Sequence, residues 1–271
     1  MKLINGRALA EKIKDTIAVE TFNFSKVESS WRPNLAIILV GEREDSKLYV
    51  SLKEREGKKV GIDTSTYRFA ENCSEEELLE SIIFFNSDPD IDGIILQLPL
   101  PKHLKADKII SKINPKKDVD GFNPGRPKNL LSPVLLGVLE VLKSEKFSYQ
   151  DKKIVLFGNS QAFIQTFKEY FPQIEFVSSL EELKTVGPQA DILISAVGQA
   201  EVIKANMVKD GSFLVDIGIS KVNDKVKGDF DLESVKDKAK YLTPVPGGIG
   251  PLTVAFLLQN VLTAYKNEKQ V

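Results

Sequence analysis

Short apolar runs rich in Ile, Val and Leu alternate along the chain with charged stretches whose apolar residues recur every three or four positions. The runs at 35–40, 65–69, 93–98, 153–157, 174–177, 192–196 and 213–217 predict strands. Most are apolar on both faces, as parallel strands covered by helices on each side must be. The intervening stretches predict helices over about 7–23, 45–60, 74–86, 104–112, 133–144, 160–170, 179–186 and 251–267. Ser74 with Glu77, and Ser179 with Glu182, have the spacing of capping boxes, and Asp45 or Ser46 can cap the helix before position 50. Strand, helix, strand in this order predicts an α/β fold of doubly wound sheets.

Two segments break the rhythm. PKKDVDGFNPGRPKNLLS at 115–132 and TPVPGGIGPLT at 243–253 are rich in Pro and Gly, and a long apolar helix follows the second. That helix comes too late to begin a domain. The economical arrangement is two domains, one of residues 1–122 and 249–271, the other of 123–248, with the C-terminal helix returning to the first. Two crossings between domains create a cleft, the default place for a ligand.

Composition narrows the function. The 271 residues, 42% of them hydrophobic, suffice for about two domains with real cores. Against 37 basic residues stand 38 acidic ones, so no general basic surface for nucleic acid is expected. One cysteine, Cys73, and one histidine, His103, exclude a disulfide within the chain and a metal site built on several Cys or His. Both read as structural. No apolar run approaches the roughly 18 residues of a membrane span, and the opening MKLINGRALAEKIKD is amphipathic and mixed in charge. The expectation is a cytoplasmic protein without a membrane partner.

Candidate chemistry gathers at strand ends. Tyr49 and Lys53 are four residues apart, so they share one helical face: an aromatic plate beside an amine. An ordinary amphipathic helix carries the same pair. Gln97 ends the apolar run of DGIILQLPLP, where open α/β sheets bind ligands, and can orient the lysine; it also fits a loop amide. Asp118 and Asp120 in KDVDG offer carboxylates to a ring bearing N–H donors, or serve as turn residues before Gly121. In the later domain Gly158, Asn159 and Ser160 follow a strand and open a helix, the arrangement that receives a pyrophosphate, yet no second or third glycine follows. Gly198 and Gly218 stand at two further strand ends. The three prolines and three glycines of 244–251 specify a loop by its backbone, which favours a ligand contact at Pro246, Gly247 and Gly248.

Together these motifs resemble the bifunctional methylenetetrahydrofolate dehydrogenase/cyclohydrolase family. The matching stretches are 44–62, 92–101, 117–124, 190–198, 211–220 and 243–258, and the order QLPLP, KDVDG, PVPGGIGPLT is specific. The resemblance implies an N-terminal α/β folate domain, a Rossmann-like dinucleotide-binding domain and a homodimer. It implies oxidation of 5,10-methylenetetrahydrofolate with NADP and hydrolysis of the product to 10-formyltetrahydrofolate, in one-carbon metabolism that serves purine biosynthesis. Under it Tyr49 stacks on the folate, Lys53 is the essential lysine, Gln97 its polar partner and Asp120 the aspartate that holds the pterin. Pro246, Gly247 and Gly248 lie near the substrate, and Gly158, Asn159, Ser160, Ser178, Gly198, Gly218 and Thr253 serve the cofactor.

The folate half matches throughout; the cofactor half departs. Where the family reads G-x-S-x-x-V-G-x-P, this chain has Ile164 and Thr166 at the second glycine and the proline. The arginines that meet a 2′-phosphate have no match, and Glu181 and Glu182 follow Ser178 and Ser179. Three readings stay open at this point: a bifunctional enzyme with an altered cofactor turn that admits NAD, a cyclohydrolase with a lost or weakened dehydrogenase, and a non-catalytic folate-binding descendant.

Overall fold

The computed structural model describes residues 1–27 and 32–269. In chain order they form β1 (Lys2–Leu3), α1 (Gly6–Val27), β2 (Asn34–Val40), α2 (Glu44–Lys59), β3 (Asp63–Phe69), α3 (Glu75–Ser87), β4 (Gly93–Leu96), α4 (Ala106–Ile110) and α5 (Pro133–Ser144). Then follow β5 (Ile154–Gly158), α6 (Gln161–Tyr170), β6 (Glu175–Val177), α7 (Leu180–Val186), β7 (Ile192–Ala196), β8 (Phe213–Asp216), β9 (Ser220–Val222), β10 (Lys225–Lys227), α8 (Leu232–Val235), β11 (Tyr241–Leu242) and α9 (Ile249–Lys269). The chain divides into two units. One holds Glu11–Pro133 and Val254–Val271, the other Met1–Ala10 and Val134–Thr253.

The first unit is built on a parallel three-stranded sheet in the order β3-β2-β4. Central β2 alternates its side chains between two cores, as the period of a strand requires. Leu35, Ile37 and Leu39 pack with Ile17 of α1, Val50 of α2 and Val254, Leu257, Leu258, Val261 and Leu262 of α9. Ala36, Ile38 and Val40 pack with Leu78, Ile82 and Phe85 of α3 and Ile109 of α4. At α3 the Ser74 hydroxyl accepts the Glu77 amide at 3.1 Å. At α2 the structure departs from expectation. Its N-cap is Arg43, which makes no side-chain cap, and Asp45 instead takes the Arg43 guanidinium at 2.6 and 3.1 Å. Glu44 and Asp45 sit in the first turn, where negative charge suits the helix dipole, so the helix begins without a cap.

The second unit carries a six-stranded parallel sheet, β1-β11-β8-β7-β5-β6. Numbered within the unit from β5, the order is 2-1-3-4-5 with β1 at the far edge. The connection reverses between β5 and β7, and the carboxyl ends of those strands flank the topological switch point. Residues 1–10, expected with the folate half, belong here. Lys2 pairs with Tyr241 and Leu3 with Leu242, and the Arg7 amide donates to Gly247 O at 3.2 Å. A two-residue strand has no readable period, which is why β1 and β11 escape the pattern. The antiparallel β9–β10 hairpin was also unexpected; Asn223 and Asp224, both at positive φ (48° and 60°), make its two-residue turn.

Among the described residues no helix is long and apolar enough to cross a membrane. Cys73 is buried, and the His103 Nε2 pairs with its carbonyl at 3.0 Å. His103 sits in a turn before α4 rather than at the start of a helix.

Candidate active site

In the three-stranded unit, α2 presents Tyr49 and Lys53 one turn apart, both half-buried. β4 ends at Leu96, and the next residue, Gln97, is buried. Its amide N–H continues the sheet by donating to Ile38 O at 2.9 Å. Its side-chain Nε2 donates to Leu98 O at 2.7 Å, which turns Oε1 toward the Lys53 Nζ, 2.8 Å away. The glutamine can therefore only accept from the lysine. Burial pulls the Lys53 pKa below its ordinary 10.5, with the nearby Asp120 carboxylate opposing the shift. Burial pushes Asp120 up in turn, opposed by Lys53. Each group is kept from holding its charge as firmly as it would in water, the condition under which a lysine can exchange protons near neutral pH.

The two aspartates of KDVDG divide the work. Asp118 is buried, and its carboxylate accepts the amides of Gly121 at 3.2 Å and Asn123 at 2.6 Å. It is the turn residue, and burial pushes it up to about 6 against those bonds. Asp120, with no such duty, is left to face Lys53. The peptide before it is held by Asn260 of α9, whose Nδ2 donates to Val119 O and Leu131 O, both at 2.8 Å. Gly121 has φ +70°, and a Cβ there would lie 2.7 Å from the Ser132 nitrogen. Gly121→Ala is expected to cost about 2 kcal/mol, from the left-handed backbone and the contact. The change is read as a lower denaturation midpoint at unchanged slope.

One residue of this face carried no sequence signal as a ligand group. Ser46, three positions before Tyr49, is buried and its hydroxyl has no hydrogen-bond partner. A buried orphan hydroxyl on the helix face of Tyr49 and Lys53 suits a polar substrate atom.

The six-stranded unit carries candidate residues of its own. At the end of β5, a Cβ on Gly158 would meet nothing nearer than Ala196 O at 4.0 Å. Nothing in the chain demands a glycine there; the turn is open for a ligand to approach the backbone. Asn159 and Ser160 are exposed, and Ser160 caps α6 by accepting the Phe163 amide at 3.4 Å. Gly198, at φ +64°, turns the chain after β7 on the other side of the switch point. These residues fit a pyrophosphate-bearing dinucleotide. Ser178 and Ser179 follow β6, and the expected capping box at Ser179 is present. The Glu182 Oε2 accepts both their amides, at 2.9 and 3.3 Å.

Other candidates have duties inside the chain. A Cβ on Gly218 would fall 2.1 Å from the Asp229 carboxyl, and one on Gly248 2.7 Å from Pro244 O. The Thr253 hydroxyl donates to Ile249 O at 3.2 Å. Gly247 has φ +109°, and Pro246 follows a cis peptide bond.

Comparison with known proteins agrees with this geometry. Residues 4–120 match the tetrahydrofolate dehydrogenase/cyclohydrolase catalytic domain, and 133–269 match the NAD(P)-binding domain of the same family. A relative from Sulfurihydrogenibium sp., the bifunctional protein FolD, is 39% identical over 282 residues, covering 99% of both chains. The chain belongs to the tetrahydrofolate dehydrogenase/cyclohydrolase family. It is an enzyme whose six-stranded unit carries the family's NAD(P)-binding domain. The crystal structure of the Campylobacter jejuni FolD dehydrogenase/cyclohydrolase superposes with a TM-score of 0.90 at 35% identity, covering 98% of this chain and 99% of that one. The Trypanosoma brucei enzyme, solved with NADP and an inhibitor, gives 0.92 at 27% identity and covers 100% and 99%.

Proposed function

We propose that Lys53, oriented by Gln97 and balanced by Asp120, is the proton carrier of this bifunctional enzyme. The enzyme oxidises 5,10-methylenetetrahydrofolate to 5,10-methenyltetrahydrofolate and hydrolyses that cation to 10-formyltetrahydrofolate. The single observation carrying the assignment is the 2.8 Å bond from Lys53 to a glutamine whose own amide is already committed. A neutral Lys53 amine takes a proton from the water that adds to the methenyl carbon. The ammonium so formed gives a proton to the ring nitrogen as the carbon–nitrogen bond opens, and the carbinol hydroxyl releases its remaining proton to solvent as the formyl carbonyl forms. Tyr49 offers a ring face to the pterin, and Asp120 accepts from its N–H groups. Pro246, Gly247 and Gly248 contribute loop backbone to the substrate.

NAD(P), when bound, supplies the hydride acceptor for the first reaction. Gly158, Asn159, Ser160 and Gly198 receive the dinucleotide at the switch point, with Gly218, Ser178 and Thr253 around it. The test follows reduced-nicotinamide formation from 5,10-methylenetetrahydrofolate, with NADP and NAD in parallel, and methenyl hydrolysis in the same preparation. Turnover in both assays is expected; hydrolysis without reduction of either dinucleotide would leave a cyclohydrolase alone.

The resemblance implies NADP, but one observation favours NAD. Glu182 occupies the two amides after β6, the strand end that reads the ribose 2′ group in dinucleotide folds. Those bonds from Ser178 and Ser179 hold its carboxyl below the usual range. From Ile154 to Leu183 the only cation is Lys168, in the last turn of α6, at the opposite end of that helix from the Ser160 turn. A carboxylate accepts from a 2′-hydroxyl and repels a 2′-phosphate dianion. Wild type is expected to bind 5′-ADP more tightly than 2′,5′-ADP by titration calorimetry, and Glu182→Gln to narrow the difference about fivefold. Tighter binding of 2′,5′-ADP by wild type would restore NADP.

A homodimer, a cytoplasmic location and supply of purine biosynthesis complete the proposal, on the resemblance. Sedimentation at the monomer mass would remove the first.

A further inference from the structure

Two buried carboxylates in the six-stranded unit take no part in the chemistry above. Asp229 is wholly buried in the loop after β10. Its Oδ2 accepts the Ser195 hydroxyl at 2.6 Å and the Val197 amide at 3.0 Å, and its Oδ1 accepts the Gln199 amide at 2.8 Å. Asp216, at the end of β8, is buried as well. Its two oxygens accept the amides of Asp229 and Phe230, both at 3.1 Å. A Cβ on Gly218 would collide with the Asp229 carboxyl, and one on Gly228 would lie 2.0 Å from the Asp216 Oδ2. Each aspartate thus packs directly on glycine backbone from the other's segment. The arrangement runs in series: Asp216 holds residues 229–230, and Asp229 holds residues 195–199.

Burying two carboxylates is costly, and packing alone does not call for it. Burial pushes Asp216 up to about 7 against the amides that favour its charge. What the pair secures is the turn after β7. No regular helix begins at that turn; Ala205–Met207 is the next helical segment and is only one turn long. The amides on either side of Gly198 point inward to Asp229, which fixes the peptides of a glycine at φ +64° beside the switch point. On the other side, the Ser220 hydroxyl donates to Gly198 O at 2.6 Å.

We propose that Asp229, supported from behind by Asp216, is a positioning residue that holds the 197–199 turn in the form that receives the dinucleotide. The proposal rests on the reading of the β5–β7 switch point as the dinucleotide site. An asparagine at 229 cannot reproduce the pattern. Three donors converge on the carboxylate, and the amide nitrogen would face at least one of them donor to donor.

The test uses the full-length enzyme and two variants, Asp229→Asn and Ser195→Ala. Dinucleotide dissociation constants are measured by fluorescence titration, with dehydrogenase KM and kcat, and with methenyl hydrolysis as a check on the other unit. Asp229→Asn is expected to raise the dinucleotide Kd and KM about ten- to thirtyfold, with kcat within threefold and hydrolysis within twofold. Ser195→Ala removes one of the three donors and is expected to raise Kd about threefold, so the proposal stays testable if Asp229→Asn does not fold. Dinucleotide affinity within twofold of wild type in every folded variant overturns the role of Asp229 alone. A wild type that binds neither dinucleotide overturns the switch-point reading and this proposal with it.

Discussion

Lys53→Ala is expected to lower methenyl hydrolysis by about a thousandfold, the middle of the range for removing a general acid–base group. Folate affinity is expected to change by less than about tenfold, because Tyr49, Asp120 and the orphan Ser46 hydroxyl remain. The measurement pairs the loss of methenyl absorbance with equilibrium binding of a stable folate. A variant within tenfold of wild type would show that another group moves the proton. The pH dependence gives an independent reading. Neutral Lys53 is the working form, so hydrolysis should rise with pH and level off below the ordinary lysine range, since burial has lowered its pKa. Asp120 opposes that lowering. Asp120→Asn therefore moves the rising limb to still lower pH, whatever it does to KM.

The second large effect concerns stability. Glu56→Gln is expected to cost about 3 kcal/mol, near the lower end of the range for removing one partner of a buried ion pair. The Glu56 side chain is 7% exposed and that of Lys14 10%, and the two are directly hydrogen-bonded between α2 and α1. Lys59 at 2.9 Å and Arg55 at 3.1 Å complete the shell, but both are mostly exposed and contribute little. Burial alone would push the Glu56 carboxyl up; the bonds from Lys14, Lys59 and Arg55 outweigh it and hold the value at about 2. The sign follows from linkage. A depressed carboxylate pKa adds stability above its unfolded value, near 4.5, and that stability is lost as pH falls toward 2. The denaturation midpoint of wild type should fall as pH drops across that window, and that of Glu56→Gln should be lower at neutral pH but flatter across the window. A variant whose midpoint matches wild type at pH 7 would rule the pair out as a stabilising contact.

The long elements were legible because burial writes itself into the pattern. β2, with six of its seven residues buried, and β7, with four of five, could be little else than covered parallel strands. Ser179 makes the full capping box its spacing indicates, while Ser74 caps through its hydroxyl. β1, β9, β10 and β11 are two or three residues long and mostly exposed or half-buried, too short for any period to register. Losing β1 hid the pairing that ties the start of the chain to the six-stranded unit. In the site, Tyr49 and Lys53 share a helix face and could be paired from spacing. The bond between Lys53 and Gln97 spans 44 positions; the place of Gln97 at a strand end offered it as one reading beside a loop amide, and the family resemblance favoured it. The division of labour between Asp118 and Asp120 depends on which one reaches the Gly121 and Asn123 amides, a matter of loop geometry. Asp229 left only a faint mark, the glycines at 218 and 228 that make room for two carboxyl groups.

The pairing of β1 with β11 has a consequence for synthesis. Lys2 and Leu3 leave the ribosome long before their partners Tyr241 and Leu242. The cover for Leu35, Ile37 and Leu39 comes later still, from Val254 to Leu262. Neither unit can be finished before its late segment has been made. The nascent polypeptide must carry an open sheet face and an unpaired β1 until β11 and α9 have been made, and so is expected to lean on holding chaperones until then.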